Sequence, residues 1–135
     1  MKKDIIIPKV ENVHIVAIQE WSDDFQENCW YAYLLNATNE TLEMAMLISR
    51  AYGLINGEER NTMQLRHAFA KVEPQTAVKI EFLENNVLQL ENEFMLSYFI
   101  GSQMFDKKFI FKENSINKNA KIDLPIIPNQ GIMAV

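Results

Sequence analysis

The sequence predicts an all-β domain, an antiparallel β-sandwich of about seven or eight strands. Short runs of β-branched and aromatic residues recur between turn-forming residues, and no stretch has the apolar period of a long amphipathic helix. A chain of 135 residues, 48% of them hydrophobic, can bury a core without disulfides or metals. We therefore expect one domain over residues 1–135, with an extended C-terminal tail at about residues 119–135.

The first third of the chain supplies the first predicted strands. Ile5–Ile7, stopped by Pro8, is typical of an edge strand or an extended arm. Val13–Ile18 is apolar almost throughout, which is typical of a strand covered on both faces. Trp30–Leu35 alternates between two faces, and Leu42–Ser49 comes next after a polar turn. Leu42–Ser49 also suits a helix, but its period of two favours a strand.

Within the predicted strand Leu42–Ser49, the apolar residues of the alternating pattern are Leu42, Met44, Met46 and Ile48. Side chains two apart point to the same face of a regular strand. We therefore expect these four apolar side chains to share a face.

Three further segments complete the predicted sheets. Met63–Ala70 alternates apolar and polar residues, and Val78–Phe82 has the cleanest half-buried pattern in the sequence. A hairpin is predicted over Phe94–Phe111, closed by a type II′ turn at Gly101-Ser102 because glycine suits its first central position. The segment Ile122–Pro128 contains two prolines, so it should lie extended against the body and not form a central strand.

Leu90–Phe94 resembles the segment that leads into strand F of fibronectin type III domains. Phe94 stands there in place of the usual tyrosine. The resemblance implies a sandwich of the immunoglobulin/fibronectin type III kind.

Composition limits the classes of partner and compartment. The net charge of −5 and a pI near 5.0 argue against binding to nucleic acid backbones, because such binding is favoured by a basic surface. No apolar run reaches the length of a signal peptide core or a membrane span, so we expect a cytoplasmic protein without membrane association.

No catalytic, cofactor-binding or metal-ligating set stands out in the sequence. Cys29 is the single cysteine, which excludes an intramolecular disulfide and a cysteine zinc cluster. His14 and His67 lie on different predicted strands without a second ligand at metal-binding spacing. Nucleophile-elbow, phosphate-loop and dinucleotide motifs are missing from the sequence. We therefore expect no cofactor and favour a non-catalytic protein.

Five polar residues are candidates for a site because they interrupt or adjoin apolar rows. These residues are Arg50, Arg66, His67, Asp106 and Lys107. A charge within an apolar row either pairs, reaches the rim with its long side chain, or belongs to a site.

Three segments resemble a family of small bacterial proteins that often carry the label phenylalanyl-tRNA synthetase alpha subunit. They are Ser49–Gly53, Thr62–His67 and Tyr98–Phe111, and the similarity extends over nearly the whole chain. The label implies a role in charging tRNA. A class II synthetase domain needs a large antiparallel sheet with motif arginines, and this chain is too short for one. We therefore attribute the label to a mistaken transfer between proteins.

Three hypotheses arise for the function. The first is a non-catalytic sandwich that binds another protein or a second copy of itself, because many strands carry exposed aromatic and methionine positions. The second is a small-molecule or enzymatic site that uses Arg66, His67 and Asp106, which requires these side chains to converge on one pocket. The third is the synthetase-related role that the family label implies.

Overall fold

The computed structural model describes residues 8–135, and these residues are almost entirely antiparallel β-structure. The strands are β1 (Val13–Ser22), β2 (Glu27–Asn36), β3 (Leu42–Ile55), β4 (Glu58–Asn61), β5 (Leu65–Val72), β6 (Thr76–Leu83), β7 (Glu91–Ile100), β8 (Gln103–Phe111), β9 (Ile122–Asp123) and β10 (Gln130–Met133). Two short 3-10 helices span Val87–Gln89 and Lys118–Ala120. The predicted Ile5–Ile7 strand lies outside the described residues.

The strands form two five-stranded sheets. The first has the order β6-β2-β1-β10-β9, and the second has β4-β3-β7-β8 with β5 also paired to β3. Every pairing is antiparallel. The predicted all-β antiparallel sandwich is therefore confirmed.

The predicted number of strands is too low, since the described residues contain ten. One addition is β4, a four-residue strand that pairs with the end of β3 beyond β5. The other additions are β9 and β10 from the tail.

The division of six strands between the two sheets resembles the immunoglobulin-type scheme. In that scheme strands C, F and G share one sheet, and strands A, B and E belong to the other. Here β3, β7 and β8 share one sheet, and β1, β2 and β6 share the other. In this correspondence β7 takes the place of strand F, while β4, β5, β9 and β10 are not matched.

The core lies between the inner faces of the two sheets. Its fully buried members include Ile15, Ala17, Leu34, Leu47, Phe94, Leu96, Tyr98 and Phe109. Each large apolar side chain withdrawn from water contributes about 1.5–3 kcal/mol, so this layer supplies the main force that holds the sheets together.

A second, smaller core covers the opposite face of β1. Val16 and Ile18 are buried there with Leu35 and Leu124. Ile127 packs against this cluster from the tail. The prediction that Val13–Ile18 is covered on both faces is therefore confirmed.

The C-terminal tail, residues 119–135, forms two strands that belong to the first sheet. Its strand β10 pairs with β1, and β9 pairs with β10 at the edge of the first sheet. Gly131 permits this because a Cβ there would collide with the carbonyl oxygen of Ala17 and lie 2.9 Å from Leu124 Cδ1. Val135 then exchanges two backbone hydrogen bonds of 2.9 Å with Ile110 of β8. The tail thus joins the two sheets along one side.

The β7–β8 hairpin has the predicted register. Tyr98 lies opposite Phe105, Leu96 opposite Lys107, and Phe94 opposite Phe109. Gly101 has a φ of 60°, as the first central residue of a type II′ turn requires. The rings of Tyr98 and Phe105 stack with centroids 5.2 Å apart.

The prediction that Leu42 shares a face with Met44, Met46 and Ile48 is wrong. A β-bulge interrupts the pairing between Glu43 and Met46, where Met44 has a φ of 50°. One extra residue in a strand reverses the faces of the residues beyond it. Leu42 is therefore buried in the core, whereas Met44 and Met46 point outward and are exposed.

Candidate binding face

The outer face of the second sheet carries a shallow groove of about 480 Å³. Its outward side chains include Met46, Ile48, Met95, Ser97 and Met104, with Arg66, Asp106 and Lys108 at the margins. We call this set the methionine face.

The strand register fixes the layout of the methionine face. Across β5, β3, β7 and β8 the first row is Arg66, Ile48, Met95 and Lys108, and the next row is Ala68, Met46, Ser97 and Asp106. The central strands β3 and β7 therefore carry most of the apolar surface. In these two rows the charged residues belong to the outer strands β5 and β8.

Three methionines leave a large apolar area in contact with water. Met46, Met95 and Met104 are 52%, 49% and 45% exposed. Scattered exposed apolar residues are ordinary, but a contiguous patch with a polar rim is typical of an interaction site. Methionine suits such a site because its unbranched side chain adapts to different partners.

One end of the methionine face is anchored by a buried carboxylate. Glu93 is only 3% exposed and accepts a 2.6 Å hydrogen bond from Arg50 Nε. Lys108 Nζ lies 3.1 Å from its other carboxylate oxygen. The hydrogen bond from Arg50 lowers the pKa of the Glu93 carboxyl, and this outweighs burial, which raises it. Glu93 thereby fixes the position of two cations beside the face.

The other charges at the rim of the methionine face are held less firmly. Within residues 8–135, neither Arg66 nor Asp106 makes a side-chain hydrogen bond or an ion pair. On the opposite face of β8, Lys107 lies over the ring of Phe109, with Nζ 4.7 Å from the ring centroid. Charged groups beside an apolar groove that are not used within the fold remain available to another molecule.

The five sequence-predicted site residues divide between two faces. Arg50, Arg66 and Asp106 lie on the outer face of the second sheet, whereas Lys107 pairs with the buried Leu96 and points to the opposite face of the edge strand β8. His67 comes directly after Arg66 and therefore points to the opposite, inner face. Arg66, His67 and Asp106 consequently do not converge on one pocket.

His67 belongs to a polar cluster between the two sheets. Its Nε2 lies 2.9 Å from Glu81 Oε1, and Ser49 Oγ donates a 2.6 Å hydrogen bond to the same oxygen. In a serine-hydrolase triad the histidine stands between the serine and the acid, whereas here the acid stands between the other two. The arrangement is therefore not that of a catalytic triad, and its hydrogen bonds connect β3 and β5 to β6. A cleft of about 420 Å³ lies beside the cluster.

The outer face of the first sheet has a different polar network. Tyr33 donates hydrogen bonds of 3.0 and 2.9 Å to the two carboxylate oxygens of Glu20, which also pairs with Lys79. The Lys79 ammonium lies 4.1 Å from the centroid of the Tyr31 ring. Burial and the bond to Glu20 raise the pKa of Tyr33. These groups satisfy one another within the chain.

Metal-binding clusters and membrane-spanning helices are both absent from the described part of the chain. Residues 8–135 contain no cluster of three or more His, Cys, Asp or Glu side chains that could hold a metal ion. Over the same range no helix is long and apolar enough to cross a membrane.

The chain was compared with known proteins at the levels of sequence and structure. No family model, curated protein or solved structure matches it. The resemblance to the bacterial family and its synthetase label therefore stays an expectation.

The methionines of this face are not among the sequence-predicted site residues. Regular alternation along β3 would place Met46 on the same face as Leu42. The bulge at Met44 places the two side chains on opposite faces instead. The hairpin carries a partial signal, since its second face combines Met95 and Met104 with charged residues. That mixture is unusual for a purely solvated face.

Proposed function

We propose that this chain is a non-catalytic β-sandwich that binds a protein partner through the methionine face. The observation that carries the proposal is the group of half-exposed methionines Met46, Met95 and Met104 beside Arg66 and Asp106, whose charges have no partner among residues 8–135. A fold stabilised by two cores does not need these residues in that position.

The proposal is supported by the contrast with the rest of the polar surface. The Ser49–Glu81–His67 cluster and the Glu20–Tyr33–Lys79 network are satisfied internally. The methionine face leaves both apolar area and charge unused. A docked partner would withdraw the exposed half of each methionine from water, which contributes about 1 kcal/mol per residue.

The test compares two uncharged variants that differ in location. The double substitution Met46→Gln/Met95→Gln removes apolar surface from the face, whereas Met63→Gln does the same at an exposed site outside it. Partners captured on the wild-type chain are identified by mass spectrometry, purified, and titrated calorimetrically against each variant.

We expect the double variant to weaken binding of the purified partner by at least about tenfold, because two buried methionines are lost. Met63→Gln should bind like the wild type. Equal affinity of all three chains, or no reproducible partner for any of them, would refute the proposal.

A further inference from the structure

We infer that a second copy of this chain pairs with the free edge of β5, so that two chains form one antiparallel sheet around a two-fold axis at Ala68. This inference goes beyond the proposed function, because it concerns an edge of the second sheet and not the methionine face. It derives from the open edge of β5, the side chains along that strand, and the state of the other sheet edges.

The outer edge of β5 has unused backbone groups. Within residues 8–135, β5 (Leu65–Val72) pairs with β3 on one side only. No backbone group from residue 65 to residue 71 bonds to another described segment on the other side. The outward N–H and C=O groups of such an edge can pair with an added strand.

β5 lacks the features that shorten, bend or cover the other sheet edges. β4 and β9 have only four and two residues, and β8 exchanges two backbone hydrogen bonds with Val135. β6 has a bulge, since Ala32 pairs with Glu81 but Tyr33 pairs with Lys79. β5 has eight residues, no proline, and no shift in its register with β3. A regular edge of this length is a template for another strand.

The side chains of β5 fit a second copy of the same strand. Opposite residues of an antiparallel pair point to the same face, so a two-fold axis must pass beside one residue and its own copy. With the axis at Ala68, Arg66 lies opposite Ala70 and His67 lies opposite Phe69. Ala68 and Ala70 are small and exposed, and no like charges face each other at these positions.

The neighbouring symmetric registers fit less well. An axis at Phe69 would place His67 opposite Lys71 of the other copy, and an axis at His67 would place the two imidazole rings opposite each other. With the axis at Ala68, Lys71 falls opposite Leu65, which is 48% exposed and would pack against the lysine stem. The sequence of β5 thus favours one register with itself.

A second copy also gives a closed assembly. Pairing through β5 uses the regular edge of each chain, and the edges that remain on the second sheet are the short β4 and the partly covered β8. A symmetric contact of this kind ends at two copies. A strand of another protein would need a matching pattern of small and uncharged residues, which β5 itself already supplies.

This pairing would place both methionine faces on the same side of one continuous sheet. The strand order becomes β8-β7-β3-β5 followed by β5-β3-β7-β8 of the second copy. Three strand spacings of about 4.8 Å separate the two β3 strands, which is about 14 Å in all. A partner bound to one methionine face would therefore lie beside the other.

The experiment places each of two charges at the axis. Ala68 is exposed, so Ala68→Lys and Ala68→Glu fit the single chain but bring like charges together in the pair. Ala120→Lys, at an exposed alanine of the second 3-10 helix, is the matched control. Sedimentation equilibrium on the full chain measures the dissociation constant of the dimer, and urea denaturation compares the stability of the variants.

We expect the wild-type chain to form dimers, and each charge at Ala68 to raise their dissociation constant about fivefold. An equimolar mixture of the two Ala68 variants should form mixed dimers about as tight as the wild type, because opposite charges then meet at the axis. Such recovery requires residue 68 to lie opposite its own copy, so general damage to the strand would not produce it. Ala120→Lys and Met46→Gln/Met95→Gln should dimerise like the wild type.

Three results would overturn the inference. They are a wild-type chain that stays monomeric at about 1 mM, dimers that tolerate both charges at Ala68, and a mixture that recovers no dimer. A monomer that dimerises only without residues 1–7 would assign the edge to that segment. A monomer whose captured partner is lost on Ala68→Lys would assign it to a strand of another protein. If dimers fail to form while a partner still depends on Met46 and Met95, the pairing is wrong and the proposed function stands.

Discussion

The outer faces of both sheets carry apolar side chains but differ in what covers them. On the first sheet, Val16 and Ile18 are buried beneath Leu124 and Ile127 of the tail. On the second sheet, Met46 and Met95 remain about half exposed, and no part of residues 8–135 covers them. Within residues 8–135, the tail thus covers one apolar face and no segment covers the other.

Because of this difference, we expect side chains on one face to contribute mainly to stability and side chains on the other face to contribute mainly to binding. Side chains under the tail contribute to the free energy of unfolding because folding removes them from water. The methionines of the methionine face stay about half exposed after folding, so that half of their apolar area contributes nothing until another molecule covers it. Substitutions on the two faces should therefore have unequal effects on stability.

The largest effect is expected under the tail. Leu124→Ala should lower the free energy of unfolding by about 2–5 kcal/mol, because it removes a buried side chain and leaves a cavity. Met46→Ala, on the second sheet's outer face, should lower it by about 1 kcal/mol or less, because only half of that side chain is buried. Urea denaturation measures both, and similar losses for the two variants would show that the faces do not differ in this way.

The docking of the tail should also depend on Gly131. Gly131→Ala places a methyl group against the carbonyl oxygen of Ala17, so β10 must move away from β1. We expect a loss of about 1–3 kcal/mol in unfolding free energy. Faster amide exchange at Ala134, which donates to the carbonyl of Ile15, would locate the change. Unchanged stability and exchange would mean that the tail tolerates displacement.

A pH effect is expected at the end of the methionine face. The pKa of Glu93 is lowered in the folded state by Arg50, so its stabilising effect is full above the ordinary glutamate value of about 4.3. That effect is lost as the pH falls through the lowered pKa of the folded chain. Arg50→Gln should therefore reduce the loss of stability on acidification.

The control for this effect is Arg60→Gln, which removes the exposed pair with Glu58. Denaturation midpoints between about pH 6 and pH 3 should fall less steeply for Arg50→Gln than for Arg60→Gln or the wild type. Parallel curves for the three chains would assign the acid dependence to other carboxyl groups.

The smallest effect on stability is expected from methionine oxidation. Mild peroxide should convert the exposed Met46, Met95 and Met104 to sulfoxides, which are polar. Thermal unfolding should change little, because these side chains contribute little to the folded core. Binding to the methionine face should be lost and should return after treatment with methionine sulfoxide reductase. A large fall in thermal stability would show that these residues support the fold.

Features of the fold with local determinants were predictable from the sequence. The β7–β8 register was predicted fully, because Gly101-Ser102 sets the turn and the turn sets every pair above it. The opposite faces of Arg66 and His67 likewise result from their adjacency in a strand. The bulge at Met44 has no such signal, since a methionine at φ 50° is not indicated by its residue type.

The tail was harder to predict because its partners are distant in sequence. Ile122–Pro128 was predicted to lie extended and outside a central strand, and β9 does lie at the sheet edge. The pairing of β10 with β1 depends on Gly131 fitting beside Ala17, a contact between opposite ends of the chain. Periodicity within one segment carries no information about such a contact.

That pairing also has a consequence for the order of folding. Val16 pairs with Met133, so forming this contact closes almost the entire chain into one loop. Local hairpins such as β1–β2 and β7–β8 close short loops and form with a smaller loss of chain entropy. We therefore expect β10 to join late, after both sheets have begun to form. Until then β1 and β8 present unpaired edges, and it is in this intermediate that the chain is most open to aggregation.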